Sequence, residues 1–382
     1  MRVLIAMDSF KGSLSSCEAG CAVADGIKLA YENAQTEVCP MADGGEGTVS
    51  AIVSAMGGEM CRVRVHGPLE EYIQAEYGVI SEERTAIIEM ASAAGITLVD
   101  AERRNPLHTT TYGVGEMIAH AIRENGCRNF VIGIGGSATN DGGVGMLQAL
   151  GFSFLDGDGN QITRGAKGLK DLVAIKCDGA LQELAECSFH VACDVTNPLC
   201  GEMGCSAVYG PQKGAKPEMI QNMDAWLQNY ARLSANALGV SHEMTAGAGA
   251  AGGMGFAFVS YLNGKLESGI DLVMRTTRLE EKIKDADLIV TGEGRLDGQT
   301  AMGKAPIGVA KLAKKYGKTV IAFSGCVTED ARKCNLHGID AFFPILRSVC
   351  TLEDAMQGGN AYQNLKQTSE QVFRLLRSAP RF

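Results

Sequence analysis

Both ends of the chain carry the same alternation of short apolar runs and helix-like stretches. That repetition constrains the fold more than any single motif. Near the start, Val3–Met7 and Glu37–Met41 read as strands, and Ser15–Tyr31 and Glu46–Met56 read as helices, the second stopped by Gly57-Gly58. After Arg278 the pattern returns, with strands expected at Asp287–Thr291, Thr319–Phe323 and Asp340–Pro344. Helices are expected at about Pro306–Tyr316 and Glu329–Leu336, and a further helix closes the chain. Right-handed crossovers would gather these five strands into one flavodoxin-like parallel sheet. The expected fold class is therefore α/β, with residues 1–58 and 277–382 forming a discontinuous domain.

The middle, residues 59–276, is then an insertion with α/β content of its own. Arg62–Val65, Gln74–Ile80 and Thr85–Glu89 look like strands, and Phe130–Ile134 like another. Val114, Met117, Ile118, Ala121 and Ile122 recur at helical spacing before Gly126 and are assigned to the core rather than to a ligand. Thr245–Gly264 is uncharged throughout but holds so many glycines that a buried helix is expected instead of a membrane span. At 382 residues two domains are the default. An active site in the cleft between them, closing over its ligands, is the expected arrangement.

Composition narrows the partners. A formal charge of −9 and a pI near 5.3 argue against nucleic acid or an anionic membrane surface and favour a small molecule. Thirteen cysteines form no CxxC pair and read as reduced, buried thiols of a cytoplasmic protein. Met1–Met7 reads as a strand followed by charge rather than as a signal peptide. Homo-oligomerisation is left open by the sequence.

Three loops of the outer domain follow expected strands, which in a parallel sheet places them at the carboxyl edge where ligands collect. Asp8–Ser13 offers Lys11 to a phosphate or carboxylate, unless Lys11 is merely solvated and Ser13 or Ser15 caps the next helix. Pro40–Thr48 surrounds Asp43 and Glu46 with Gly44, Gly45 and Gly47. Helix capping accounts for one acid but not for three glycines. Thr291–Lys304 packs Glu293, Arg295, Asp297 and Lys304 among glycines, and its ordinary reading is a solvated turn. Gly298, Gly303 and Lys304 approach the spacing of a P-loop, but Ala305 stands where a metal-binding hydroxyl is required. Pro306 instead sets Lys304 just before a helix N-terminus.

The insertion supplies three more loops. Gly133–Gly143 joins a strand to an expected helix and offers Gly135, Gly136, Ser137, Thr139, Asn140 and Asp141 to a phosphate chain, although it does not fit GxGxxG. His190–Leu199 holds Asp194 at a strand end, with Asn197 nearby. Asp194 suits Mg²⁺, a general base or simply a turn. Gly210–Lys216 adds Lys213, facing either phosphate or solvent.

The blocks DSFKGSLS, PMADGGEGT, IGGSATNDGG, CDVTNPL, GPQKGA, GAGAAGGMGF and TGEGRLDGQT occur in that order across nearly the whole chain, which on this basis resembles the type-1 glycerate kinase family. The resemblance implies two α/β domains, one interrupting the other, and ATP-dependent phosphorylation of D-glycerate to 2-phosphoglycerate. It assigns no roles to individual acids. From the residues themselves, Lys11, Lys213, Arg295 and Lys304 are expected to concentrate positive charge, and Asp43 and Asp194 to serve catalysis, Asp194 accepting the proton. Glu293 and Asp297 are expected to organise Mg²⁺, and Gly135–Asp141 to hold ATP phosphates. A phosphomutase-like enzyme using Ser137, or a non-catalytic small-anion binder, are the competing readings.

Overall fold

The computed structural model describes residues 1–378. The chain divides into two compact units. The first comprises Met1–Asp43, Ser50–Gly57 and the segment from Ile270 onward, and the second comprises Gly44–Val49 and Gly58–Gly269.

The first unit is built on a five-stranded sheet whose strands lie in the order Ala341–Pro344, Thr319–Val327, Leu288–Leu296, Arg2–Met7, Gln35–Val38. All four pairings are parallel. Numbered along the chain this is the order 2-1-3-4-5 of a doubly wound sheet, with its switch point between Arg2–Met7 and Leu288–Leu296. The strands read as continuous apolar runs because both faces are covered: Val3, Leu4, Ile5, Ala6 and Met7 are all buried. Two expected boundaries move. The second strand starts earlier, at Gln35, while pairing continues beyond it through Cys39 N–H to Ile5 O (2.8 Å) and Met41 N–H to Met7 O (2.8 Å). The strand expected to end at Thr291 runs on to Leu296, pairing Glu293 with Ser324 and Arg295 with Cys326. Glu293 and Arg295 are thus strand residues.

One sheet face is sealed by Ser16–Ala30 lying against Gly358–Ser378. Ser15, not Ser13, caps the first of these helices, its hydroxyl accepting Glu18 N–H while Glu18 accepts Ser15 N–H (2.8 Å). The helices approach closely at Gly26, where an added Cβ would stand 2.2 Å from the Lys366 carbonyl oxygen. Further along, Ser369 donates to Val23 O (3.1 Å) and Tyr31 meets Phe373 edge-on. The helix expected to start at Glu46 starts at Thr48, and Glu329–Leu336 is a 3-10 turn followed by a short α-helix.

The second unit holds a six-stranded sheet in the order Lys265–Glu267, Ser188–Ala192, Asn129–Gly133, Thr85–Glu89, Tyr72–Ile80, Glu59–His66. The first four strands are parallel and the last two antiparallel. Tyr112–Arg123 is the expected helix, and Val114, Met117, Ile118, Ala121 and Ile122 are all in the core. The glycine-rich run departs from expectation. Ala251, Gly252 and Gly253 take left-handed conformations (φ 53°, 71° and 96°), so the run is not a continuous helix. Its glycines form a close seat: an added Cβ on Gly252 would lie 2.1 Å from Thr139 O, and Gly252 O accepts Gly142 N–H (2.9 Å).

All thirteen cysteines are free thiols, but only Cys39, Cys127, Cys205 and Cys334 are buried, while Cys21, Cys326 and Cys350 are exposed. No helix among the described residues is long and apolar enough to cross a membrane.

The close contact at Gly26 gives a direct test. Gly26→Ala is expected to destabilise the fold by about 1–3 kcal/mol through overpacking against backbone. Gly359→Ala, whose Cβ would meet nothing within 4 Å, should be neutral or slightly stabilising. Urea melts of the two variants check the contrast.

Candidate active site

The switch point of the first unit collects charge. Asp8 directly follows the first strand, and its N–H donates to Gly292 O (2.9 Å), which fixes it beside the third strand. Asp8 is only 7% exposed, and its Oδ1 accepts Ser9 N–H at 2.6 Å. Burial pushes its pKa up to about 7. The Ser9 N–H opposes that shift, and the charges of Asp43 and Glu293 add to it.

Glu293 leaves its strand into the same pocket. Its Oε1 accepts the Thr300 hydroxyl at 2.7 Å and its Oε2 stands 3.7 Å from Lys304 Nζ. Burial raises its pKa although both partners favour the charged form. Asp297 folds the following turn around itself, Oδ1 accepting the N–H groups of Gln299 (2.9 Å) and Thr300 (3.1 Å). Its Oδ2 lies 3.4 Å from Arg295 Nε. Thr300 thereby ties the two carboxylates together, its hydroxyl also accepting Asp297 N–H at 3.2 Å. Lys304 is the residue before the helix Ala305–Lys315, with Pro306 in its first turn, as its sequence context predicted. Lys11, on the exposed loop after Asp8, pairs with Asp43 at 3.8 Å.

Asp8, Lys11, Asp43, Glu293, Arg295, Asp297 and Lys304 all line one cavity of about 330 Å³. Of the sequence-derived residues, the structure therefore brings Lys11, Asp43, Glu293, Arg295, Asp297 and Lys304 together. Sequence reasoning passed over Asp8 and Thr300. Asp8 follows the first apolar run immediately, and that was the available signal. Thr300 carried none, because its role depends on how the turn folds. Among the described residues no group of three His, Cys, Asp or Glu side chains is placed to hold a metal ion, so any ion here would need ligand oxygens beyond the protein's carboxylates.

The remaining sequence-derived residues belong to the second unit. Asp194 is exposed just past Ser188–Ala192, and its Oδ1 accepts Gly269 N–H (3.0 Å). In the loop after Asn129–Gly133, Gly135 and Gly136 are exposed, while Ser137, Thr139, Asn140 and Asp141 are buried. Asp141 accepts four bonds from protein: Thr111 N–H and hydroxyl on Oδ2 (both 2.9 Å), Gly145 N–H on Oδ2 (3.3 Å) and Gly143 N–H on Oδ1 (3.1 Å). Burial raises its pKa. Lys213, expected in a basic loop facing either phosphate or solvent, is 2% exposed. Its Nζ donates to Ser137 Oγ (2.8 Å) and Thr139 O (2.6 Å), and burial holds its pKa down to about 8. Ser137, Asp141 and Lys213 are committed to shaping the loop, Thr139 Oγ1 and Asn140 Oδ1 are buried without a hydrogen-bond partner, and the exposed part is the backbone at Gly135 and Gly136.

Comparison with known proteins agrees with this architecture. A sequence model of the glycerate kinase family matches residues 3–377. A protein of Escherichia coli K12 named glycerate 2-kinase is 47% identical over 372 residues, 97% of each chain. A glycerate kinase of Haemophilus influenzae is 46% identical over 376 residues, 98% of this chain and 99% of the other. In three dimensions the chain is similar to a crystal structure described as a glycerate kinase 2 from Salmonella typhimurium LT2, with a TM-score of 0.91 and 47% identity over 99% of this chain and 98% of that one. The match to the family model and to these full-length relatives shows that this chain belongs to the glycerate kinase family.

Proposed function

We propose that this chain transfers the terminal phosphoryl group of ATP to the 2-hydroxyl of D-glycerate, giving 2-phosphoglycerate and ADP. The observation that carries the reading is the single pocket in which three cations and four carboxylates meet at the switch point of the sheet. Both substrates are anions, so a chain of net charge −9 has to concentrate Lys11, Arg295 and Lys304 where they bind. The name of the Escherichia coli relative supports the 2-position.

The residues present fit Mg²⁺ and ATP. Mg²⁺ commonly takes only one or two protein carboxylates and completes its shell with phosphate and water. Glu293 and Asp297, tied through Thr300, offer such a pair. When bound, the ion supplies charge neutralisation for the phosphates. Lys11, Arg295 and Lys304 hold and orient the anionic groups. The 2-hydroxyl oxygen forms a bond to the γ-phosphorus as the bond to the β-phosphate oxygen breaks, ADP leaving with that electron pair.

The hydroxyl proton passes to a carboxylate. Asp8, which lines the pocket and whose pKa burial raises, is the better suited acceptor, and Asp194 is the second candidate. An Asp194→Asn enzyme with wild-type turnover would eliminate Asp194. The phosphomutase reading is disfavoured because its one candidate nucleophile, Ser137, is buried and bonded to Lys213.

Three measurements test this reading. Phosphorus NMR of the product formed from D-glycerate, ATP and Mg²⁺ should show ADP in equal amount with 2-phosphoglycerate, whereas 3-phosphoglycerate would overturn the regiochemistry. Lys11→Ala and Lys304→Ala should leave circular dichroism unchanged and lower turnover on the order of 10²–10³. Near-normal turnover would remove the residue concerned from the site.

The third concerns stability. The folded pKa of Asp8 lies above its unfolded value, so between about pH 4 and 7 the folded state keeps a proton the unfolded state has lost, and stability falls as pH rises through that window. In metal-free protein Asp8→Asn should therefore be more stable than wild type at pH 8, by up to about 4 kcal/mol, with the gap closing towards pH 4. Parallel melting curves at both pH values would contradict the assignment.

A further inference from the structure

The charged pocket at the switch point of the first unit has a second end that the reaction as described leaves unused. Beyond the charged residues it is walled by Phe10, Ile345, Leu346, Leu352, Met356 and Ala361. Phe10, Ile345 and Ala361 belong to the core, but Leu352 is 76% exposed and Leu346 is 44% exposed. Apolar side chains held open beside a charged pocket are costly to leave wet, and they mark a place where an apolar ligand surface is covered.

The two ends form one continuous wall. Gly12, next to Lys11, has φ +77°, and a Cβ there would lie 2.8 Å from Met356 Cε. The loop carrying Lys11 therefore packs directly against the apolar segment. Ser13, on the same loop, also lines the pocket, and its hydroxyl is buried without a hydrogen-bond partner in the protein. A buried hydroxyl of this kind calls for a polar ligand atom.

A three-carbon hydroxy acid has almost no apolar surface to place against such a wall. The cavity of about 330 Å³ falls within the ~300–1,000 Å³ of clefts that enclose molecules the size of a nucleoside. A purine nucleoside joined to phosphates has the matching polarity: a flat apolar base, ribose hydroxyls, then concentrated negative charge. In doubly wound sheets such ligands occupy the crevice at the carboxyl ends of the strands, at the switch point. The loop Gly135–Asp141, by contrast, exposes only the backbone of Gly135 and Gly136, its polar side chains, including the unpartnered Thr139 Oγ1 and Asn140 Oδ1, being buried.

Resting on the kinase reading above, the geometry points to the first unit as the binder of the donor nucleotide. The nucleoside lies against Phe10, Ile345, Leu346, Leu352 and Met356, Ser13 meets one of its polar atoms, and the phosphates extend to Lys11, Arg295 and Lys304. This locates the nucleotide elsewhere than the glycine loop to which sequence reasoning assigned it.

The test uses the full chain and the uncharged double variant Leu346→Ala/Leu352→Ala, both positions being open enough for truncation to leave the fold intact. Titration calorimetry with ADP should show Kd raised on the order of tenfold. KM for ATP should rise in parallel while KM for D-glycerate and the melting temperature stay at wild-type values. Unchanged ADP binding, or a rise confined to KM for glycerate, would overturn the proposal, as would failure of the wild-type chain to bind ADP. If the wild-type chain bound ADP and the variant lost that binding, yet the chain phosphorylated no glycerate, the pocket would stand and the reaction assigned above would fall.

Discussion

The parallel pairing of Arg2–Met7 with Leu288–Leu296 is the constraint on which the site depends. It joins segments 285 residues apart, as in the bond from Thr291 Oγ1 to Ala6 O (2.8 Å). Register does the rest. With Met7 opposite Gly292, the next residues on each strand are Asp8 and Glu293, so two carboxylates are delivered side by side at the carboxyl edge. A slip of one residue would turn one of them into the helix layer, because successive side chains point to opposite faces. Closing so long a loop carries an entropic cost that grows only slowly with length, which makes an inserted unit of this size tolerable.

The same pairing creates an electrostatic problem that the protein only partly relieves. Asp8 and Glu293 are held out of water, and Asp43 and Asp297 stand near enough to raise their neighbours' pKa values. Lys304 and Lys11 lower them again, but burial outweighs both. A purely structural edge would gain from replacing these acids by neutral residues. Two buried acids flanked by two less buried ones fit a pocket that completes its charge balance with a cation and anionic substrates.

Much of this was legible in the sequence. Apolar runs recurring at both ends disclosed the discontinuous sheet, and the spacing from Val114 to Ile122 disclosed a core helix, because these depend on local periodicity. What was missed depends on long-range packing. Glu293 looked like a loop residue since nothing local shows that Ser324 and Cys326 extend its pairing. Lys213 reads as a basic loop residue, yet the fold closes over it and ties it to Ser137 and Thr139. The glycines near 252 suggested a smooth helix, whereas they admit the backbone of the neighbouring loop. Glycine reports that space is needed but not by what.

Asp8 is held in the buried, negatively charged edge that the first and third strands create. The most direct measurement is a carbon-13 NMR titration of the Asp8 carboxyl in metal-free protein, assigned by its loss in Asp8→Asn. A midpoint near pH 7 is expected. A midpoint near 4, the ordinary value for an exposed aspartate, would contradict the account.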